Sequence, residues 1–152
     1  MTSCKCDVFW DNKWFYTVSP VDKKVHKQTL VLDAKPGVQK LAFRGAGKSD
    51  GLGITIDNVK LVRDNENFVW NGGFEKPNVG RGWKKFKRIP GWTGTGIEIG
   101  NGTIYNSQWK SQVCELDGAG NYAISQSWNF DANCQIVDET IKPESETPKE
   151  EE

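Results

Sequence analysis

Residues 49–61 read Ser-Asp-Gly-Leu-Gly-Ile-Thr-Ile-Asp-Asn-Val-Lys-Leu, and residues 69–77 read Val-Trp-Asn-Gly-Gly-Phe-Glu-Lys-Pro. In the first stretch, apolar Ile54 and Ile56 alternate with polar neighbours. Alternation with a period of two is typical of a strand with one face buried. It predicts a half-buried β-strand over 54–62. The second stretch opens with a short apolar run and then turns at its glycine pair.

Short apolar runs separated by turn residues continue along the rest of the chain. No segment keeps a 3.6-residue period, so helices are not expected. The many short strands with closely spaced turn signals predict an all-β sandwich. Residues 76–88 are predicted to form an irregular basic loop, and a further strand region is predicted to begin at 89–92. The other predicted strands are 6–10, 14–18, 26–33, 38–44, 54–62, 68–70, 96–99, 111–116 and 122–130.

Composition limits the classes of partner. Twenty basic and twenty acidic residues cancel, so the net charge gives no reason to expect nucleic acid or an anionic membrane. No apolar run approaches the length of a transmembrane helix, and we expect no membrane insertion. Residues 1–137 are expected to form one domain. Residues 138–152 are rich in Glu, Lys and Pro, and we expect a disordered acidic tail there.

The four cysteines are Cys4, Cys6, Cys114 and Cys134. Cys4 and Cys6 are two apart on a predicted strand, so they point to opposite faces and are poorly placed to bridge each other. Zinc is a further alternative, although a Cys-x-Cys spacing and a single histidine suit it badly. Free buried thiols and one disulfide both remain open.

Several phrases of the sequence resemble those of galactose-binding-like jelly-roll domains in secreted and cell-surface proteins. In that family an NG-x-FE phrase opens the domain and an IDNV phrase closes it, whereas here the closing phrase comes first. A hairpin phrase at 8–13 also resembles the family's V-x-W-N-G-K pattern. The matching phrases are IDNV at 56–59, NGGFE at 71–75, IPGW at 89–92, ELDG at 115–118 and Gln126.

The reversed order implies a jelly-roll β-sandwich that is circularly permuted, or else the junction of two tandem repeats. In the permuted form, residues 6–62 and 68–130 build one sandwich, and the short connector 63–67 joins the old ends. The segments 54–62 and 68–75 should then lie close together. In the tandem-repeat form, the halves pair only with neighbouring copies. The same complementarity would let two chains exchange halves into a swapped dimer.

The resemblance implies a recognition module from a cell-surface or extracellular protein. The first amino acids show no apolar signal-peptide region, so the chain is either cytosolic or a fragment of a larger secreted protein. The resemblance favours the fragment. The expected function is non-catalytic carbohydrate binding, with a glycan or a surface protein as the partner. The alternative is a structural protein–protein assembly module without a small ligand, because one fold serves many functions.

The resemblance also implies a structural calcium ion where the first and last strands of the domain meet. Asp57 and Glu75 occupy the corresponding positions. Calcium prefers six to eight oxygen ligands, which carboxylates and the backbone carbonyls of the 71–74 turn can supply. In the alternative interpretation, both carboxylates only accept backbone N–H bonds in turns.

A glycan surface is expected among the aromatic and amide residues of the second half. Sugar rings stack on aromatic faces, and sugar hydroxyls bond to planar amides and carboxylates. A buried core position is the alternative for Trp92. At least two of Trp10, Trp14 and Trp128 are expected to pack in the core, because they alternate with polar residues in strands. The expected ligand-binding residues are Trp83, Trp92, Trp109, Tyr105, Asn101 and Gln108.

Catalysis finds little support in the sequence, and we expect no enzyme. The single histidine, His26, has no nucleophile signature near it. Glu98, Glu115 and Asp117 could share a face, as a glycosidase would need, but such chemistry also requires a fixed carboxylate separation and a deep cleft.

Overall fold

The computed structural model describes residues 4–20, 24–47, 54–101, 111–116, 121–137 and 147–150. Over these ranges the chain forms strands and connecting loops, and no helix occurs that could cross a membrane. Every strand pair is antiparallel, so the predicted all-β fold is confirmed. The strands are β1 (Cys4–Trp10), β2 (Lys13–Val18), β3 (Gly37–Gly47), β4 (Thr55–Ile56), β5 (Val62–Arg63), β6 (Glu66–Asn67), β7 (Trp83–Ile89), β8 (Trp92–Asn101), β9 (Gln112–Glu115), β10 (Ala123–Phe130) and β11 (Lys149–Glu150).

Nine strands belong to one sheet that divides in two at β8. Along one edge β8 pairs with β7. Along its other edge it pairs with β10 at Thr93 and Gly94, and with β9 from Glu98 to Asn101. One branch continues through β10, β3, β1 and β2, and the other through β9 and β4. Antiparallel layers that diverge from a shared strand are consistent with a β-sandwich.

Glycines make the division of the sheet sterically feasible. A Cβ atom on Gly94 would lie 2.2 Å from the carbonyl oxygen of Ala123, and one on Gly96 would lie 2.7 Å from the Tyr122 ring. Neither position has room for a side chain, so β10 and Tyr122 can approach β8 only because glycine occupies both positions.

The two branches contribute to one apolar core. Its centre is an aromatic stack in which the Trp128 ring lies 6.3 Å from Trp10 and 6.1 Å from Trp70. The Trp128 Nε1 group donates to the carbonyl of Phe68 at 2.8 Å, so burial of the indole leaves no polar atom unpaired. Residues on both sides of the connector 63–67 therefore share a core. The largest fully buried side chains are Trp92, Phe74, Phe86, Ile89, Ile97, Ile99, Leu116 and Ile124.

All four cysteines are free thiols. Cys6 on β1 and Cys114 on β9 are buried in the core, one from each branch. Burial raises the pKa of Cys6 to about 12 and raises the pKa of Cys114 well above its usual value. Both groups therefore stay protonated and pack as small apolar side chains. Of the alternatives left open by the sequence, the structure contains free thiols.

Residues 68–79 form no strand, yet three buried amide side chains hold this segment against the sheet. The Gln126 amide bonds both main-chain groups of Trp70, at 2.8 and 2.9 Å. Asn71 and Gln112 each donate to two carbonyl groups, and each also accepts a main-chain N–H. A buried main-chain group without a partner costs about 1–3 kcal/mol, so these amides replace the ladder bonds that the segment lacks.

The NGGFE phrase is a structural turn within this segment. Asn71 and Phe74 adopt positive φ angles of 52° and 55°. The Phe74 ring is fully buried and stacks on Trp92, with the ring centroids 5.4 Å apart. A Cβ atom on Gly72 would lie 2.0 Å from the Val59 carbonyl oxygen, so only glycine fits at this contact.

The segments 54–62 and 68–75 lie side by side, as predicted. The Val59 amide donates to Gly72 at 2.9 Å, and the Phe68 amide donates to Leu61 at 2.8 Å. The connector forms the hairpin β5–β6, whose turn residues Asp64 and Asn65 have φ angles of 50° and 64°. Two consecutive positive φ angles indicate a two-residue type I′ turn, which reverses the chain in the shortest way.

Three predicted strands are shorter or missing. Over 26–33 the alternation is correct, since Leu30 and Leu32 pack against the core while Val31 is 85% exposed. That segment nevertheless joins no strand ladder. The predicted strand over 54–62 is reduced to β4, and the predicted strand over 68–70 is replaced by the amide-bound segment. Periodicity reports which face is buried, but it does not report whether a partner strand is present.

Two further segments are more ordered than predicted. The basic stretch expected to be a loop contains β7, in which Phe86 and Ile89 are buried while the basic side chains around them are mostly exposed. Of the predicted tail 138–152 the structure describes residues 147–150, and two of these form β11, which pairs with β7. Both strands are rich in charged residues and expose most of their side chains, because β11 is the edge strand and covers β7 over only two residues.

Candidate functional site

Asp57 and Glu75 converge on the start of β9. The Ser111 hydroxyl donates to Asp57 Oδ2 at 3.1 Å, and the main-chain N–H of Gln112 donates to Glu75 Oε1 at 3.0 Å. The pKa of Asp57 is raised, first by burial and also by the negative charge of Glu75, against the opposing hydrogen bonds from Asn58 and Ser111. The structure thus brings the two predicted metal ligands close together.

Both carboxylates already accept hydrogen bonds, as the turn-capping alternative requires. The Asn58 amide also donates to Asp57 Oδ1 at 2.7 Å. Among the described residues, no group of three or more His, Cys, Asp or Glu could hold a metal. A metal ion at this pair would therefore depend on main-chain carbonyls for most of its ligands.

The predicted ligand-binding residues do not share one environment. Trp83 is 54% exposed at the start of β7, whereas Trp92 is only 1% exposed. Trp92 donates its Nε1 hydrogen to the Asn71 carbonyl at 3.0 Å and is a core residue, so it is not available to a ligand. Asn101 ends β8 and donates to the Gly80 carbonyl at 3.2 Å. The remaining predicted residues, Tyr105, Gln108 and Trp109, lie outside the described part of the chain.

Trp83 belongs to the outer surface of the β7–β8–β9–β4 layer, which we call the Trp83 face. Residues directly opposite each other in an antiparallel ladder point to the same side of the sheet. The register places Lys85, Glu98, Glu115 and Thr55 in one row across the four strands.

The Trp83 face combines charge with aromatic rings. The Lys85 ammonium lies 5.9 Å from the Trp83 ring centroid and 5.5 Å from that of Tyr122, distances at which cation–π attraction operates. Glu98 and Glu115, adjacent on paired strands, are only 7% and 5% exposed. The pair that a glycosidase would need is thus side by side, but its carboxylates are covered rather than open to a sugar ring.

A second exposed tryptophan, Trp14, lies on the opposite branch, on the outer surface of β2, β1 and β3. We call this surface the Trp14 face. Trp14 is 63% exposed, and its Nε1 group donates to the Thr17 hydroxyl at 2.9 Å. The Thr17 hydroxyl donates to Asp7 Oδ1 at 2.6 Å. A chain of two hydrogen bonds therefore fixes the indole while leaving its ring exposed.

Arg44 completes the Trp14 face. Its guanidinium lies 3.4 Å from Asp7 Oδ2 and 5.1 Å from the centroid of the Phe9 ring. The register places Ala42, opposite Phe9, and Ser125 as the next residues across the sheet. Small side chains thus border the aromatic and charged groups of the Trp14 face.

Trp14 was not among the predicted ligand-binding residues, although its outward position has a signal in the sequence. Asp11 and Asn12 have φ angles of 51° and 65°, so they form a two-residue turn that sets Trp10 opposite Lys13 and Phe9 opposite Trp14. Successive strand residues alternate between faces, so Trp10 and Trp14 lie on opposite faces of the hairpin. The turn therefore predicts that only one of the two can face the core, and because Trp10 is in the core, Trp14 faces outward.

No protein-family model, curated protein or solved structure matches the chain. The Trp14 face, the Trp83 face and the Asp57–Glu75 pair are therefore the features from which its function can be inferred.

Proposed function

We propose that the protein is a non-catalytic carbohydrate-recognition module of a cell-surface or extracellular protein. The observation that carries the proposal is the exposed, hydrogen-bonded Trp14 ring beside the Asp7–Arg44 pair. A sugar presents a C–H face that packs on an indole and hydroxyl groups that bond to charged planar side chains. The Trp14 face offers both kinds of contact within one strand hairpin and its neighbour.

The fixed position of the indole favours binding. Ordering a free side chain on association costs about 0.5–1.5 kcal/mol. Because the Thr17 hydroxyl already holds the Trp14 Nε1 group, much of this cost is met before a ligand arrives. On the Trp83 face, by contrast, the Lys85 ammonium already lies near the Trp83 ring and the two neighbouring carboxylates are covered. We therefore assign the sugar site to the Trp14 face.

For the fold we propose a galactose-binding-like jelly roll in circularly permuted order. Two observations support this order over two separate repeat domains. Residues before and after the connector 63–67 contribute to the same core, and β3 from the first half pairs with β10 from the second. The connector itself is a tight hairpin that joins adjacent segments.

We also propose a structural calcium ion at the Asp57–Glu75 pair. The donor set fits a hard cation in part, since two carboxylates converge and the pKa of Asp57 is raised by burial and by its neighbour's charge. A divalent cation would neutralise the negative charges of these two neighbouring carboxylates. Asp57, Glu75 and main-chain carbonyls of the 71–74 turn would hold it.

A glycan array probed with the full chain, with and without calcium, tests the sugar proposal. For any glycan that binds, Trp14→Ala should weaken binding by at least about tenfold, a change of 1.4 kcal/mol, while Trp83→Ala serves as the matched control. Loss of binding in Trp83→Ala alone would move the site to the Trp83 face. If no glycan binds, or neither variant changes binding, the carbohydrate proposal fails and the assembly-module alternative takes its place.

A further inference from the structure

Strand β7 is the most basic element of the sheet. Its seven residues include Lys84, Lys85, Lys87 and Arg88. On one side β7 pairs with β8 along its length, and on the other side the described residues pair with it only through the two-residue strand β11. The outer edge of β7 is therefore a positively charged strand edge that is only partly paired, and we call it the β7 edge.

The segment that pairs with the β7 edge, Lys149–Glu150, belongs to an acidic stretch of the sequence. Residues 142–152 contain five Glu and two Lys. In β11, Lys149 lies opposite Arg88 and Glu150 lies opposite Phe86. The Lys84 ammonium lies 3.2 Å from Glu150 Oε1. The contact thus combines antiparallel strand pairing with an ion pair between opposite charges.

We propose that the β7 edge is a strand-addition site for an acidic, extended segment of a partner protein, and that the chain's own acidic tail occupies it in cis. In strand addition, main-chain hydrogen bonds supply affinity and side chains select the partner. Here the lysines select for acidic residues. They also repel the β7 edge of a second copy, which is how edge lysines protect sheets from pairing with themselves.

Because β11 already occupies the β7 edge in cis, a partner segment must displace it in order to bind. A tethered segment has an effective concentration on the order of millimolar, so a weakly binding tail still fills the edge. A partner segment binds only if it pairs over more residues or carries more charge than β11. Among the described residues, none pairs with residues 83–85 of β7 on this side, and these residues provide the additional register. The β7 edge is separate from the proposed sugar site, which lies on the other branch.

The test uses the full chain and a fluorescein-labelled peptide of sequence KPESETPKEEE, with binding followed by fluorescence anisotropy. The first variant neutralises the tail by Glu→Gln changes at 144, 146, 150, 151 and 152. It should bind the peptide at least about tenfold more tightly than the unmodified chain, because the tethered competitor is weakened. Hydrogen exchange should show faster exchange of β7 amides in this variant when no peptide is present.

Charge reversal on β7 supplies the second arm. In the neutral-tail background, Lys84→Glu with Lys87→Glu should weaken peptide binding by at least about tenfold. The matched control is Lys35→Glu with Lys60→Glu, which makes the same charge change at exposed positions away from β7. Equal weakening by both pairs would attribute binding to net charge alone and overturn the proposal.

A third arm separates strand pairing from a general polyanion site. The same peptide, N-methylated at the residues that correspond to Lys149 and Glu150, keeps its charges but loses main-chain donors. It should bind at least about tenfold more weakly than the unmethylated peptide. Equal binding by both peptides, with displacement by heparin oligosaccharide, would make the edge a polyanion patch and overturn strand addition.

Light scattering of the full chain completes the test. A monomer at all concentrations used is expected. A dimer that the neutral-tail variant abolishes would assign the edge to a second copy of this chain and overturn the proposal of a foreign partner. Trp14→Ala should leave peptide binding unchanged, so the outcome is separate from that of the sugar proposal.

Discussion

The Trp14 face and the Trp83 face each expose one tryptophan, yet their surroundings differ. Trp14 has its N–H group held by Thr17, and the charges beside it form one balanced pair, Asp7 with Arg44. Trp83 lies near the ammonium of Lys85, and the row of Lys85 across the sheet also contains two covered carboxylates. An exposed indole is therefore not sufficient evidence of a binding site. The partners of its N–H group and of its ring decide what a ligand can reach.

The largest effect is expected on replacing a buried tryptophan, and comparison with the two exposed tryptophans tests whether these are dispensable for folding. Trp128→Ala should lower the free energy of unfolding by about 3–5 kcal/mol, because its ring fills the space between Trp10 and Trp70. Trp14→Ala and Trp83→Ala should each change it by less than about 0.5 kcal/mol. Urea unfolding followed by circular dichroism measures all three. A loss above 2 kcal/mol for Trp14→Ala would make the Trp14 face a structural surface.

Calcium should act on the branch that carries the Trp83 face, since Asp57 and Glu75 meet at β9. At a hundredfold excess over the dissociation constant, binding to the folded state alone adds about 2.7 kcal/mol of stability. The melting temperature should therefore rise between excess chelator and millimolar calcium, and Glu75→Gln should remove the rise. An identical melt under both conditions would leave the pair as turn caps only.

Sugar binding should distinguish the two faces through the hydrogen-bond chain behind Trp14. Thr17→Val removes the hydroxyl that accepts from the Trp14 Nε1 group and donates to Asp7. The expected cost in binding free energy is about 1 kcal/mol, smaller than for loss of the ring, because one hydrogen bond typically contributes that much. Isothermal titration calorimetry measures it. Thr17→Ser, which keeps the hydroxyl, should bind as the unmodified chain does.

The smallest expected effect is a pH dependence confined to Asp57. Its pKa in the folded state is raised, so the folded state holds this proton more tightly than the unfolded state. The contribution to stability is fully present below the unfolded pKa and is lost as the pH rises through the folded pKa. Without calcium, Asp57→Asn should therefore be at least as stable as the unmodified chain at pH 7. On mild acidification its free energy of unfolding should rise less than that of the unmodified chain. Thermal melts between pH 4 and pH 7 compare the two proteins.

Several features of the fold could be predicted from the sequence because they depend on local chemistry. Alternating apolar residues and turn residues indicated an all-β chain, and the hairpin of β1 and β2 follows from its polar two-residue turn. Closeness of the segments 54–62 and 68–75 was also predicted, although by resemblance rather than by periodicity. The convergence of Asp57 and Glu75 followed from that expectation, since each lies in one of the two segments.

Strands β7 and β11 could not be predicted from their own residues. A strand rich in lysine and a tail rich in glutamate both have compositions typical of solvated loops. Their pairing depends on complementary charge between segments about sixty residues apart, as in the contact of Lys84 with Glu150. No local pattern records such a contact, because each partner gains its stabilisation only when the other is present.

The roles of the individual tryptophans were also only partly predictable from local sequence. Local sequence determined that Trp10 and Trp14 lie on opposite sides of a hairpin, because the turn sets the register. Only the tertiary structure decided which side meets the core, since that depends on the side chains that pack against this face of the sheet, such as Trp128 against Trp10. It also decided that Trp92 is buried against Phe74 whereas Trp83 is exposed. Residue type and periodicity are properties of a short segment, but burial is a property of everything that packs against it.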